Sequence, residues 1–364
     1  MKTKHHSDCR TSPTSLLTHC ARQAIVSKVL PLLLLMVSHS LFAQNLESGA
    51  YELIGDRPDS GGDATLVSVS LYVIDIDSVD DVKKRFNIDM FVNTSWQDSR
   101  LAVAENLRTG QNRTIPLDEI WSPRGLIVND RGLSRQLPLV ADVDDHGGVQ
   151  YRQRFAGELA VDMDLRKFPF DTQILPIEII SYQYSPDDVR FSTPSAISLD
   201  DRRFSADSWQ FKMLEPRIEE FTISAAGVVR PQLIIAIEAK RKAFYYVATT
   251  LLPMSLILFM SWMVFWLQPD IIPTRVGIST ASIFSLIAFG FSIRLSLPPV
   301  SYLTRTDIFA IGSMLMVFLA LAVAVVGSRW AHSDRMEKAL RLNFIARWAY
   351  AGLFFLVLAA AAVY

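Results

Sequence analysis

Two patterns of apolar and polar positions divide the 364-residue chain. From about residue 45 to 242 the apolar residues come in short β-branched runs, TLVSVSLYVIDI, RFNIDMFVN, VQYRQRFAGELAVDMDL, ILPIEIISY and RPQLIIAIEAK, parted by Gly, Pro, Asp and Asn clusters. Partial alternation with a period of two turns one face of each run toward a core, and the clusters supply turns. About 200 residues of such strands predict one antiparallel β-sandwich of the immunoglobulin-like kind, large enough to bury its own core. It occupies residues 44–242.

After Lys242 the alternation gives way to four apolar spans, at about 244–267, 276–293, 308–327 and 344–364. Each is long enough to cross a bilayer. Tyr245, Tyr246, Trp262, Trp266, Trp330, Trp348 and Tyr350 cluster near their ends, where amphipathic rings anchor at the headgroup boundary. Between the third and fourth spans, Arg329, Arg335, Lys338, Arg341 and Arg347 outnumber Asp334 and Glu337. The positive-inside rule puts that loop in the cytoplasm, and four spans then place the β domain and Tyr364 outside, periplasmic or extracellular. A leader over 1–43 agrees with this: basic residues precede VLPLLLLMV, and Ala43 offers a cleavage point. The chain's two cysteines, Cys9 and Cys20, both fall in that leader.

Half of the residues are apolar and the formal net charge is −1, so the charge balance suggests no nucleic-acid partner. Beyond the leader there are only His146 and His332, no cysteine, no Gly-rich loop after a strand and no paired-histidine spacing. No catalytic, cofactor or metal centre is therefore expected. Asp142, Asp144 and Asp145 of ADVDDHGG could hold a hard cation, but their spacing fits no defined loop and a solvated turn is the preferred reading. Two classes stay open: a membrane-tethered sensor or adhesion domain, and a ligand-gated pore.

The second span bears on that choice. From Arg275 to Arg294 it is uncharged, a rise of roughly 28 Å, about the thickness of the hydrocarbon core. Ser279, Thr280, Ser282, Ser285 and Ser292 interrupt it. On a helical wheel Gly277, Ala281, Phe284, Ala288 and Phe291 recur at spacings of four and three, forming one narrow stripe. A helix lining water fits this composition, and so does a helix buried among its neighbours, where small residues permit close approach.

Longer motifs carry a resemblance. DLRKFPFDTQIL looks like the signature loop of the pentameric ligand-gated ion channels, the Cys-loop receptor family. Val161 and Leu175 stand where animal receptors carry the bridged cysteines, as in the family's prokaryotic members. SWQDSRL resembles the family's Trp-x-Asp-x-Arg-Leu strand, IWSP its Trp-x-Pro turn, and RKAFYYVATTLLP its first span. The resemblance implies a homopentamer in the inner membrane whose five second spans line a pore for inorganic ions. An agonist, a small molecule or an ion, would bind between subunits.

The resemblance also implies roles for residues. Phe91, Arg152, Tyr182 and Phe221 match ligand-facing positions, while Leu126 and Ile127 replace an aromatic common in relatives. Arg152 then suits a carboxylate better than an incomplete aromatic cage suits a cation. Asp81, Phe170, Asp171, Arg241, Pro298 and Pro299 match the coupling region between the domains. Polarity alone would turn Ser282, Ser285 and Ser292 toward water. The family register, anchored by Arg275 and Pro298, instead selects Pro273, Gly277, Ala281, Phe284, Ala288 and Phe291 as the pore lining, with Ser282 bonding a backbone carbonyl or a neighbouring helix. Phe284 and Phe291 would be the constrictions. Thr274 replaces the glutamate of cation-selective relatives, and Pro-x-Arg-Val-Gly resembles the anion-selective glycine and GABA receptors. With Arg275 and Arg294 adding positive potential at either end, a chloride-preferring pore is expected, a cation-conducting or weakly selective one being the alternative.

Overall fold

A computed structural model describes residues 56–58, 60–194, 197–199, 204–223, 227–296 and 300–364, without the side chains of 293–296. The expected leader, Pro298, Pro299 and the side chain of Arg294 lie outside the described residues. In chain order the strands are β1 (Thr65–Asp80), β2 (Arg85–Gln97), β3 (Arg113–Pro116), β4 (Gly125–Ile127), β5 (Ser134–Arg135), β6 (Val140–Val143) and β7 (Gly148–Ala160). There follow β8 (Thr172–Ser181), β9 (Val189–Phe191), β10 (Ile197–Leu199), β11 (Trp209–Met213), β12 (Arg217–Ile223) and β13 (Val228–Arg241). One sheet runs β10-β1-β2-β7-β6-β3, with β5 on β7 and β9 on β1; the other runs β11-β13-β8-β4, with β12 on β13.

The alternation in the sequence builds the core between these sheets. Val67, Val69, Leu71 and Val73 on β1 and Phe86, Ile88, Met90 and Val92 on β2 turn inward. Leu175, Ile177 and Ile179 on β8 and Leu233, Ile235 and Ile237 on β13 belong to the same buried cluster, from the other sheet. Their apolar area removed from water is the main force holding the sandwich. Gly147 allows the β6–β7 turn to close on the end of β2: its φ is +83°, and a Cβ there would lie 2.2 Å from the carbonyl oxygen of Asp98. The Asp98 carboxylate is in turn bidentate with Arg100, at 2.9 and 2.8 Å. The Trp-x-Asp-x-Arg motif thus works as a local brace.

Two details depart from the sequence reading. The sandwich is not wholly antiparallel, because the chain crosses over after β8 and lays β9 and β10 parallel along β1. The strand expected over 149–165 ends at Ala160. Beyond it the backbone N–H of Asp164 donates to the side chain of Gln173 on β8 at 3.1 Å rather than to a backbone carbonyl, which starts the signature loop.

Four helices long and apolar enough to cross a membrane follow, making this a multi-pass membrane protein. They are α1 (Phe244–Trp266), α2 (Ile272–Ser296), α3 (Arg305–His332) and α4 (Met336–Val363). Within α1 the turn Val247–Leu251 widens to π geometry just before Pro253. Proline has no N–H to donate and its ring crowds the carbonyl four residues back, and the wider turn relieves both. The helix α3 opens on a capping box, in which Thr304 and Asp307 exchange bonds of 3.1 and 2.9 Å. At the start of α4, Glu337 and Arg341 pair at 2.6 Å one turn apart. Helix extends eight residues ahead of the apolar window expected from hydropathy, which does not register a polar helical turn.

Candidate functional site

Where the sandwich meets the helices, the last residue of β13 is a buried arginine. Arg241 is 5% exposed. Its Nε donates to Asp171 Oδ1 at 2.8 Å and its Nη2 to Asp171 Oδ2 at 3.1 Å. Its Nη1 and Nη2 reach the two carboxylate oxygens of Asp81 at 2.9 and 2.8 Å. The guanidinium carbon lies 4.1 Å from the ring centre of Trp209, 5.0 Å from Phe168 and 5.5 Å from Tyr246. Loss of water alone would lower the pKa of Arg241, but hydrogen bonds to Asp171 and Asp81, with their charges, outweigh it and raise the pKa above its ordinary value. The group stays charged.

Beside this node the start of α3 and the residues before it grip the signature loop. The Tyr302 hydroxyl accepts from the Leu165 N–H at 3.0 Å and donates to the Met163 carbonyl at 3.4 Å. The Arg166 guanidinium stacks 4.7 Å from the Tyr302 ring centre. Thr306 Oγ1 donates to the Phe168 carbonyl at 3.2 Å, and the Arg305 N–H to the Arg166 carbonyl at 2.9 Å. Of the residues expected to couple the domains, Asp81, Asp171 and Arg241 are thus brought together. Phe170, next to Asp171 in the loop, is 52% exposed. Sequence reading did not single out Trp209, Phe168, Tyr302 or Thr306 for this place. A tyrosine just past a Pro-Pro link was a visible signal for Tyr302; Trp209, from a different strand, gave none.

The expected ligand residues lie on separate elements. On the outer side of β2 and β7, Phe91 is 41% exposed and faces Arg154 across the strands, with the guanidinium 5.8 Å from its ring centre. Arg154 is held by Asp89 at 2.9 and 2.5 Å. Arg152, two pairs further along, donates to Asp142 at 2.6 Å. Tyr182 belongs to the other sheet's end and lines a cavity of about 400 Å³ with Leu126, Ile127, Arg124 and Phe155. Phe221 is half-buried in the β12–β13 hairpin, opposite Arg230. Within one chain these positions do not converge.

The acidic turn is occupied with its own backbone and neighbours. Asp144 Oδ1 accepts from the N–H groups of Gly148 and His146 at 2.8 and 2.7 Å. The Gly148 bond is the main reason its pKa falls below the ordinary value. Asp145 Oδ2 accepts from Thr109 and Gly110 at 2.8 and 2.6 Å. Among the described residues no group of three His, Cys, Asp or Glu is placed to hold a metal ion.

On α2, Pro273, Gly277, Ala281, Phe284, Ala288 and Phe291 form one exposed row, the two phenylalanines each 67% exposed. Ser279 and Ser282 are buried on the other side, and Ser282 donates to the Ile278 carbonyl at 2.9 Å. Arg275 corrects the sequence reading: it is fully buried within the bundle rather than at the mouth, and donates to Asn343 on α4.

Comparison with known proteins places this architecture. The profile of the neurotransmitter-gated ion-channel ligand binding domain matches residues 42–242, and that of the neurotransmitter-gated ion-channel transmembrane region matches 250–349. The chain belongs to the neurotransmitter-gated ion-channel, or Cys-loop receptor, family, whose members are ligand-gated ion channels and not enzymes. Among its relatives, the gamma-aminobutyric acid receptor subunit beta-4 of Gallus gallus is 30% identical over 275 residues, 73% of this chain and 55% of the relative. The gamma-aminobutyric acid receptor subunit beta of Caenorhabditis elegans is 28% identical over 317 residues, 79% of this chain and 55% of the relative. The chain spans about half the length of these curated relatives.

The Arg241 node sets a stability expectation. Arg241→Gln leaves the buried Asp171 and the partly buried Asp81 without their cation and should cost about 3–5 kcal/mol. Thermal unfolding of the detergent-solubilised protein should show a midpoint clearly below that of the wild type, and an unchanged midpoint would mean that the ion pairs add no stability.

Proposed function

We propose that five copies of this chain form a ligand-gated channel in the cell's inner membrane, with the sandwich and C-terminus outside and five α2 helices around an ion pore that prefers chloride. The observation that carries this reading is the exposed face of α2. On α4 the exposed side carries Leu340, Phe344, Ile345, Trp348, Phe355, Leu356 and Leu358, with Ala349, Gly352, Ala359 and Ala360 between and after them and no exposed hydroxyl group from Phe344 to Val363, a surface suited to lipid. On α2 it is Pro273, Thr274, Gly277, Ala281, Ser285 and Ala288, broken by Phe284 and Phe291. Small and hydroxyl-bearing residues gain nothing against lipid tails, but five such faces closed on each other suit a water column. The two phenylalanines are seven residues apart, about 10 Å along the helix. In a pentamer each would form an apolar ring narrow enough to expel water, and so to bar ions at rest.

The ligand would sit between subunits, with Phe91 and Arg152 of one copy facing Tyr182 and Phe221 of the next. The relatives are named for gamma-aminobutyric acid, an amino acid, and a carboxylate on the ligand would replace Asp142 at the Arg152 guanidinium. Leu126 in the Tyr182 cavity leaves the aromatic side of such a site incomplete for an ammonium group. Binding would be transmitted through the Arg241 node and the Tyr302 contact to the upper end of α2.

The absence of an acidic residue at Thr274 supports the preference for chloride. A cation-conducting pore is the second reading, because Asp270 is exposed just before α2 and Arg275 is turned away from the mouth.

Three recordings test these assignments. Under a KCl gradient the reversal potential should track chloride; deleting Pro273 and changing Thr274→Glu should move it toward potassium, and a wild-type potential that tracks potassium selects the second reading. Phe284→Ser should wet the constriction and raise spontaneous or evoked current several-fold; a current equal to wild type means the ring is not the barrier. In a screen of amines, amino acids, protons and divalent ions on oocytes, Tyr182→Ala and Arg152→Ala should each raise the half-maximal agonist concentration about tenfold or more, the loss of one charge-assisted bond or ring contact. Unchanged responses in both would remove the site from this interface.

A further inference from the structure

The burial of Arg275 is the feature of the helices that the channel reading leaves unused. Arg275 lies in the first turns of α2, at the end remote from the sandwich, beside the exposed Pro273, Thr274 and Gly277. A guanidinium there has two places to go: the water of the mouth or the interior of its own bundle. It takes the interior, with 0% exposure. Nη2 donates to Asn343 Oδ1 at 2.7 Å, and among the described residues Nε and Nη1 have no hydrogen-bond partner. Gly327 on α3 lies alongside, where an added Cβ would sit 3.5 Å from Nη1. A cation so poorly satisfied is costly in an apolar setting, so its single strong acceptor decides where it stays.

That acceptor is itself held in place. Asn343 Nδ2 donates to the Leu267 carbonyl just past α1 at 3.4 Å. One turn further along α4, Arg347 Nε donates to the Phe265 carbonyl at 3.0 Å and its guanidinium stacks 4.4 Å from the Trp266 ring centre. Trp262 Nε1 returns a bond to the Arg347 carbonyl at 2.9 Å. A single turn of α4, clamped to the end of α1, thus presents an amide oxygen to Arg275.

We propose that Asn343 is a positioning residue of the pore: it holds the Arg275 guanidinium out of the lumen, so that α4, which contributes nothing to the exposed row, sets the electrostatic potential of the inner mouth. This rests on the reading of α2 as the pore helix. Without Asn343 the guanidinium would swing to the water beside Thr274, and five copies would crowd positive charge at the mouth. Anions would be concentrated there and cations repelled, whichever the pore prefers. Chloride leaving the cytosol, an inward current, would then increase, or potassium leaving it, an outward current, would decrease.

The test is the ratio of inward to outward conductance in single-channel recordings from oocytes with symmetrical salt. Asn343→Leu and the smaller change Asn343→Ala should each raise the ratio about twofold, the order expected for focused charge at a mouth. Asn343→Asp, which keeps an acceptor, should match wild type. In an Arg275→Gln background the Asn343 changes should have no effect on the ratio, which separates positioning from mere loosening of the bundle. An unmoved ratio in both Asn343→Leu and Asn343→Ala, or a shift that survives Arg275→Gln, overturns the proposal. A wild type that carries no current at all fails the channel reading instead, and is seen before any variant is compared.

Discussion

A buried guanidinium must be surrounded by acceptors, and at the boundary between sandwich and helices this requirement ties three segments together. Arg241 ends β13, three residues before α1 begins. Its carboxylate partners come from the β1–β2 turn and from the signature loop, and each is bidentate or nearly so. Removing any one of them would leave a charge in a low-dielectric setting, a far larger penalty than the loss of an exposed ion pair. The rings of Trp209, Phe168 and Tyr246 close the cage, so water cannot substitute for a missing partner. The turn, the loop and the strand leading into α1 are therefore held as one unit.

The same constraint, applied within the membrane, gives α2 its two faces. Polar groups in a span must be bonded inside the protein or reach water. Ser282 meets this by bonding back to its own helix, whereas Arg275 meets it only in part, through its bond to Asn343. The groups left on the exposed row are small, hydroxyl-bearing or aromatic, and none of them is charged. Between the faces, Leu286 packs with Met254 of α1 and Phe309 of α3, which fixes the rotation of α2 in its bundle and hence which residues make up the row.

The surface proposed to meet the ligand has a different logic. Arg152 and Arg154 are already matched by Asp142 and Asp89 within one chain. A sheet surface bearing paired charges beside an exposed Phe91 is stable alone and still offers exchangeable contacts to a carboxylate. Tyr182, at the end of β8, looks onto a cavity in which Leu126 and Ile127 supply apolar surface without a quadrupole.

Local order was legible in the residues themselves. Period-two alternation marked β1, β2, β8 and β13, and long uncharged runs marked four spans, because these signals depend only on neighbours in sequence. The motif around Phe168 to Asp171 was likewise visible as a string. The parallel pairing of β9 and β10 with β1 was not, since three-residue strands carry too little pattern to name a partner. Nor was the fate of Arg275. By itself the sequence determined where the long strands lie, which segments are membrane helices, and which face of α2 carries small residues. Only the tertiary structure decided that Arg241 meets Asp171 across 70 residues of chain and that Arg275 meets Asn343 across 68. A charged side chain's direction is set by whichever acceptor the fold brings within about 3 Å, and that distance is not written in any local run.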